Sequence, residues 1–179
     1  PYREYRDTSL MLCDAGDATN TSITIGEGDG VGSGRIKLDL NDGQFTAVVL
    51  NSGQPTEESL PAVLIGGGSH ASNELNVMKG SVGVAVFDGQ SVTLATLRVG
   101  RIDNPLGDAN VRCGDGASIA AVEQSGGLLN LDAGVTTHNI EDGETHYMNG
   151  DITTLSIEGG TVYYKGTGAI TTANVGSNG

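Results

Sequence analysis

The chain has 179 residues, a formal net charge of −13 at pH 7 and only 9 lysines and arginines. We therefore expect neither nucleic acid nor an anionic membrane surface as a partner, because both are bound through basic patches. No apolar run approaches the roughly 18 residues of a membrane span, and no signal peptide is visible. The 29 glycines fall between apolar runs without a Gly-X-Y period, which excludes collagen and points to turns.

The first 22 residues differ in composition from the rest. They combine aromatic and basic side chains with a short apolar run at residues 10–12. We predict an N-terminal arm or cap over residues 1–22 and one β-domain over residues 23–179. A cap would cover the end of the core. An arm would dock on a neighbouring subunit through four side chains: Tyr2, Arg3, Tyr5 and Arg6.

Short apolar runs follow one another through the middle of the chain, with Gly, Asp and Asn between them. These turn residues tolerate the left-handed backbone of tight turns. No stretch of ten or more residues shows helical spacing, so the pattern predicts β-strands almost throughout. The predicted strands lie at residues 36–40, 45–50, 62–65, 75–78, 82–87 and 92–99.

The last third of the chain carries a repeat. An apolar residue followed by two threonines recurs at Val135, Ile152 and Ile170, with spacings of 17 and 18 residues. Each copy then runs through glycine into a second short strand. A strand-turn-strand unit of this length predicts a parallel β-solenoid, or β-helix, with rungs of about 17 residues.

Alternation along the repeated strands predicts which side chains face the core. In the first strands the inward set also includes Thr136, Thr153 and Thr171. We expect Tyr147 to pack against Tyr164 from the next unit. The predicted core-stacking residues are Leu129, Leu131, Tyr147, Val162, Tyr164, Ile140, Leu155, Ile157 and Val175.

The opposite face of the second strands carries His146, Met148 and Tyr163. Exposed aromatic groups on a flat β face can stack on sugar rings or on a partner protein, so these three are candidates for surface recognition. Three such side chains can also share one face of the strands by chance, without any binding function. His138 is expected on the core side, so it points away from His146, and we do not expect the two histidines to share a metal ion.

The sequence contains no catalytic motif and predicts no cofactor. Acidic turns, including Asp39 and Asp42 and the turn at 141–144, could hold a structural Ca²⁺, although the EF-hand and β-roll patterns are missing. Turn propensity and solvation explain the same residues. Cys13 and Cys113 are expected to be two free thiols.

Two runs of the sequence resemble a known group of proteins. The run ASNELNVMKGSVGVA at residues 71–85 and the run GGTVYYKG at residues 159–166 are similar to uncharacterised β-helical structural proteins of tailed bacteriophages. The similarity covers roughly residues 20–179. The resemblance implies a virion role in capsid decoration, in capsid association or in the tail, and it supplies no catalytic residues.

The expected function is accordingly that of a non-enzymatic virion structural protein, located in the virion or outside the cell. Its expected partners are copies of itself, as in a homotrimer, and capsid or tail proteins. The alternatives are an extracellular carbohydrate-binding or polysaccharide-degrading β-helix, with surface glycans as partners, and a bacterial surface adhesin. Because the chain begins without Met and stops inside a repeat, we expect a processed protein or a piece of a longer one.

Overall fold

The computed structural model describes residues 9–14, 21–26, 35–40, 44–50, 52, 61–100 and 109–176. Within these ranges the chain forms β-strands only, and no helix there is long and apolar enough to cross a membrane. The strands are β1 (Ser9–Asp14), β2 (Thr21–Ile25), β3 (Arg35–Leu40), β4 (Phe45–Val49), β5 (Val63–Gly68), β6 (Glu74–Val77), β7 (Gly80–Val84), β8 (Ser91–Val99), β9 (Ala109–Cys113), β10 (Ala117–Asp132), β11 (Val135–Asn149), β12 (Ile152–Ile157), β13 (Thr161–Tyr164) and β14 (Ile170–Val175).

The predicted all-β character is confirmed, and the strands form where apolar and polar residues alternate. In β4, for example, Phe45, Ala47 and Val49 are buried while Thr46 and Val48 are half-buried. This two-residue period is what a strand with one covered face requires. All pairings recorded between the described strands are parallel.

The prediction of an open parallel β-solenoid with repeated rungs is wrong. The hydrogen-bonded strands close into a five-stranded parallel barrel, in the order β5, β7, β9, β10 and β8, and β8 pairs back to β5. The remaining strands lie outside this barrel and continue the same sheet. One series runs from β8 through β6 and β4 to β2, another from β10 through β11 and β12 to β14, and a third from β5 through β3 to β1. Strand β13 pairs with β11.

The barrel closes because two strands change neighbours along their length. The first half of β10 pairs with β8, from Ala117 to Gln124, and its second half pairs with β9, from Leu128 to Leu131. Strand β8 begins beside Gly67 and Gly68 of β5 and continues beside β6, and β10 pairs with it from Val92 to Val99. The spacing of the repeats does not reveal that a strand changes partners in this way, because a closed barrel and an open solenoid can both be built from strand-turn-strand units of similar length.

The repeated triplets do lie side by side, although their threonines face outward. Val135 pairs with Ile152, which in turn pairs with Ile170. The expectation that Thr136, Thr153 and Thr171 face the core is wrong, because all three are exposed. After Val135 and Ile152 the chain passes two residues before the next buried side chain, at His138 and at Leu155, so the simple alternation is offset there.

Glycines allow strands to pack closely where the chain turns. Gly143 has a φ of 102°, and a Cβ atom there would lie 2.7 Å from the backbone of Gly126 and of Gly127. Gly160 has a φ of 80° and approaches Gly143 in the same way, with 2.5 Å to the Gly143 oxygen. Successive turns therefore stack directly on one another, which only residues without a side chain permit.

The apolar core is continuous along the sheet, and the exposure of its apolar side chains increases toward β14. Ile152 and Leu155 of β12 are 0% and 3% exposed, whereas Val175 of β14 is 63% exposed. The expectation that Val175 is a core residue is therefore wrong, because β14 pairs with β12 and has no further neighbour among the described strands. We call β14 (Ile170–Val175) the open edge.

Candidate functional site

The predicted surface candidates come together on the outer face of β11 and β13. His146 pairs with Tyr163 across the two strands, and their rings meet edge to face with centroids 4.9 Å apart. Tyr163 and Met148 are 46% and 50% exposed, which makes them two of the largest exposed apolar side chains in the described part. We call His146, Met148 and Tyr163 the aromatic surface cluster.

Two charged side chains border the aromatic surface cluster. The Lys165 Nζ lies 5.8 Å from the centroid of the Tyr163 ring, within range of a cation–π interaction. The Glu144 carboxylate lies 2.5 Å from the Nε2 atom of His146. The cluster thus offers one exposed ring, hydrogen-bonding groups and charges of both signs, which are the groups that bind a sugar or a polar protein segment.

The predicted core residues lie on the inner face of the same strands. Leu129, Leu131, Ile140 and Tyr147 are fully buried, and Leu155 is 3% exposed. Ile157, Val162 and Tyr164 are partly buried and pack against this core. The expected contact between Tyr147 and Tyr164 is present, because the two residues pair across β11 and β13 and their ring centroids are 5.9 Å apart.

Buried polar groups form an interior cluster that alternation alone did not predict. Gln124 is 1% exposed, and its side-chain oxygen accepts a hydrogen bond from the Thr145 hydroxyl. Its side-chain nitrogen donates to the carbonyl oxygens of Gly126, Gly127 and Glu144, at 3.4, 3.2 and 3.1 Å. Gln124 thereby satisfies backbone groups at the turn between the two halves of β10, as buried carbonyls require.

His138 and Tyr147 complete the interior polar cluster. The Nδ1 atom of His138 and the hydroxyl of Tyr147 share a hydrogen bond of 2.5 Å, and both residues are 0% exposed. The prediction that His138 faces the core and His146 the outside is confirmed. The Nε2 atom of His138 and the hydroxyl of Tyr164 are buried and have no hydrogen-bond partner among the described residues.

Burial governs the protonation of this interior. It lowers the pKa of His138 from 6.5 to about 3, so the imidazole is neutral at pH 7. Burial and the neighbouring Tyr164 raise the pKa of Tyr147 well above its usual range. A neutral imidazole and a neutral phenol, closed off from solvent, form a structural pair rather than an accessible acid and base.

No group of three or more His, Cys, Asp or Glu side chains in the described ranges is placed to hold a metal ion. The turn at 141–144 lies within those ranges, and one of its carboxylates is already engaged by a backbone N–H. The Asp142 carboxylate accepts a hydrogen bond of 2.7 Å from Gly143. The side chains of Asp39 and Asp42 lie outside what the structure describes.

The proposed arm residues Tyr2, Arg3, Tyr5 and Arg6 also lie outside the described residues. Within the N-terminal segment, β1 pairs with β3 as an additional strand of the sheet. Cys113 is a free thiol that is fully buried, and burial raises its pKa to about 12. It is therefore a core residue and not a nucleophile.

Sequence reasoning missed the open edge and the interior polar cluster. A signal for Gln124 was present, because it occupies a position equivalent to Val99 on β8 and Ile140 on β11, where the neighbours are apolar. The sequence also distinguishes the region of the open edge, because the stretch 166–176 contains no charged residue although the chain has a net charge of −13.

Comparison of the chain with protein-family models, with curated proteins and with solved structures found no match.

Proposed function

We propose that this chain is a non-enzymatic structural subunit of a virion, which stabilises or coats the particle as a capsid-decorating, capsid-associated or tail protein. The observation that carries the proposal is the long parallel sheet around one continuous apolar core. Its turns stack directly on one another, as Gly160 does on Gly143. Such a framework suits a protein that stiffens or covers a larger assembly. A long parallel sheet with glycine turns and a protected core is rigid, which suits a subunit that bears mechanical load within a particle.

The assignment to a virion rests on the resemblance noted above. Its two runs fall on ordered parts of the sheet, since residues 71–85 include β6 and β7 and residues 159–166 include β13. The resemblance therefore concerns the framework of the protein, and it supports a structural role for the particle surface or the tail.

Density-gradient purification of particles from a producing culture tests this proposal. The chain should migrate with capsids or tails, and its amount relative to the major particle protein should be constant across the peak. Recovery of the chain only as a freely secreted protein, with none in the particle fractions, would refute the virion role.

A second candidate function is carbohydrate binding through the aromatic surface cluster. The specific observation is the pairing of exposed Tyr163 with His146, with Lys165 beside the ring. A glycan array of neutral and acidic oligosaccharides, with Tyr163→Ala as the comparison, tests it. Binding by the wild type that the variant loses supports this function, and an array without hits removes it.

The degrading version of this candidate needs its own assay. Incubation of the protein with acidic polysaccharides should lower their viscosity if the chain cleaves them. An unchanged viscosity, together with binding on the array, would leave a binding protein without hydrolytic or lyase activity.

A further inference from the structure

We propose that the protein binds one internal water molecule, which joins the Nε2 atom of His138 to the hydroxyl group of Tyr164. The site lies between the first half of β11 and the end of β13, on the inner face of the sheet. It is independent of the function proposed above. Three features carry it: two buried polar atoms without a partner, the protonation of the His138–Tyr147 pair, and the spacing between the strands.

The two polar atoms are closed off from solvent. His138 is 0% exposed, and neither its Nε2 atom nor the Tyr164 hydroxyl has a hydrogen-bond partner among the described residues. The Tyr164 ring is only partly buried, but its hydroxyl oxygen is fully buried. An unpaired buried polar group destabilises the folded state, so such groups are normally paired with the chain or with ordered water. Water is the smallest partner that can serve both atoms.

The hydrogen bond between His138 and Tyr147 determines what the water must supply. The imidazole is neutral at pH 7, so one ring nitrogen carries a hydrogen and the other a lone pair. If Tyr147 donates its only hydroxyl hydrogen to Nδ1, the imidazole hydrogen lies on Nε2. The reverse arrangement would leave the Tyr147 hydrogen without an acceptor as well. The Nε2 atom is therefore a donor that needs an acceptor, and a water oxygen provides one.

The strand pairing places Tyr164 one strand away from the His138–Tyr147 pair. Tyr147 pairs with Tyr164 across β11 and β13, and their ring centroids are 5.9 Å apart. Paired strands lie about 4.8 Å apart. This separation exceeds a hydrogen bond of about 3 Å, but it is within the span of two hydrogen bonds that share one water oxygen. The geometry suits a water between the two atoms better than a direct contact.

The residue that faces Tyr164 across the interior offers no polar group. Tyr147 meets His138 across the interior, and the corresponding residues of the next unit are Tyr164 and Leu155. Leu155 is 3% exposed, and its aliphatic side chain cannot form a hydrogen bond. Among the described side chains of β11, β12 and β13, the Nε2 atom of His138 is the other buried polar atom without a partner. A water that serves Tyr164 thus has His138 as its second ligand, and two polar partners are enough to hold a buried water.

Urea unfolding of Tyr164→Phe tests the site by the sign of its effect. With the water bound, the substitution removes one of its two protein partners and should lower the urea midpoint by about 0.5 M. Without the water, it removes a buried hydroxyl that has no partner, and the midpoint should rise. Tyr163→Phe is the matched control, because this ring lies on the outer face of β13 and is 46% exposed, so its midpoint should not change. An unchanged or raised midpoint in Tyr164→Phe would overturn the proposal.

Nuclear magnetic resonance of the isotopically labelled wild type provides a direct measurement that does not depend on whether Tyr164→Phe folds. His138 should carry its hydrogen on Nε2, and this hydrogen should show a cross-peak with water. His138→Asn identifies the signal by removing it. Protonation at Nδ1, or an Nε2 hydrogen without a cross-peak to water, would refute the internal water site.

Discussion

The Nδ1 atom of His138 lies 2.5 Å from the hydroxyl oxygen of Tyr147. Both residues belong to β11, but they lie in its two halves, on either side of the turn at Gly143. The hydrogen bond therefore crosses the interior and fixes one half of the strand against the other. Its two side chains have no exposed surface, so water cannot replace either partner.

Tyr147→Phe should destabilise the protein by about 1–3 kcal/mol, because it removes the hydroxyl and leaves the Nδ1 atom of His138 buried without a partner. Urea unfolding followed by circular dichroism measures the change. Tyr163→Phe removes a hydroxyl from an exposed ring and should alter stability by less than about 0.5 kcal/mol. Equal effects of the two substitutions would show that the interior hydrogen bond contributes nothing.

His138 should make stability depend on pH. Its folded-state pKa of about 3 lies below the ordinary value of 6.5, so between these pH values the unfolded chain binds a proton that the folded chain does not. The free energy of unfolding should therefore fall as pH drops from 6.5 toward 3, with a slope of up to about 1.4 kcal/mol per pH unit.

Comparison of His138→Asn with the wild type isolates this contribution. His138→Asn should flatten the dependence between pH 6.5 and 5, where most carboxylates are still ionised. Identical slopes in His138→Asn and the wild type would contradict the assignment of a buried neutral imidazole.

Gly143→Ala should lower the free energy of unfolding by at least about 2 kcal/mol, because strain at positive φ adds to a backbone clash. The φ is 102°, and the new Cβ would lie 2.7 Å from the backbone of Gly126 and Gly127. Gly89→Ala is the matched control, since Gly89 has a φ of 78° but nothing within 4 Å of a Cβ. A loss in Gly143→Ala no larger than that in Gly89→Ala would contradict the close stacking of turns.

Cys113 should not react with a soluble disulfide reagent at pH 8 while the protein is folded. Burial both shields the thiol and raises its pKa to about 12, so the reactive thiolate is not populated. The assay uses a Cys13→Ser background, so that only one thiol is counted. The same thiol should react fully in denaturant, and rapid labelling of the folded protein would show that the core is open at this point.

The sequence predicted the strands well because alternation and turn glycines are local signals. The runs at 36–40, 75–78 and 92–99 coincide with β3, β6 and β8, and the triplets at Val135, Ile152 and Ile170 fall on paired strands. These features depend on neighbouring residues and on a fixed repeat length, both of which can be read from the chain itself.

The barrel could not be predicted in the same way. Its closure depends on β10, which pairs with β8 along its first half and with β9 along its second half. A local pattern in the sequence does not show which distant strands will be its partners. The outward threonines show a related limit, since a two-residue break after Val135 shifts the alternation and turns Thr136 to solvent. The pairing of His138 with Tyr147 likewise follows from how the two halves of β11 face one another, which no periodicity encodes.

The most direct measurement is amide hydrogen exchange of β10, the strand that the closed barrel needs to be paired along both of its halves. The account predicts slow exchange over both residues 117–124 and residues 128–131, because the first half pairs with β8 and the second half with β9. Rapid exchange of either half, with the rest of the sheet protected, would contradict the closed barrel.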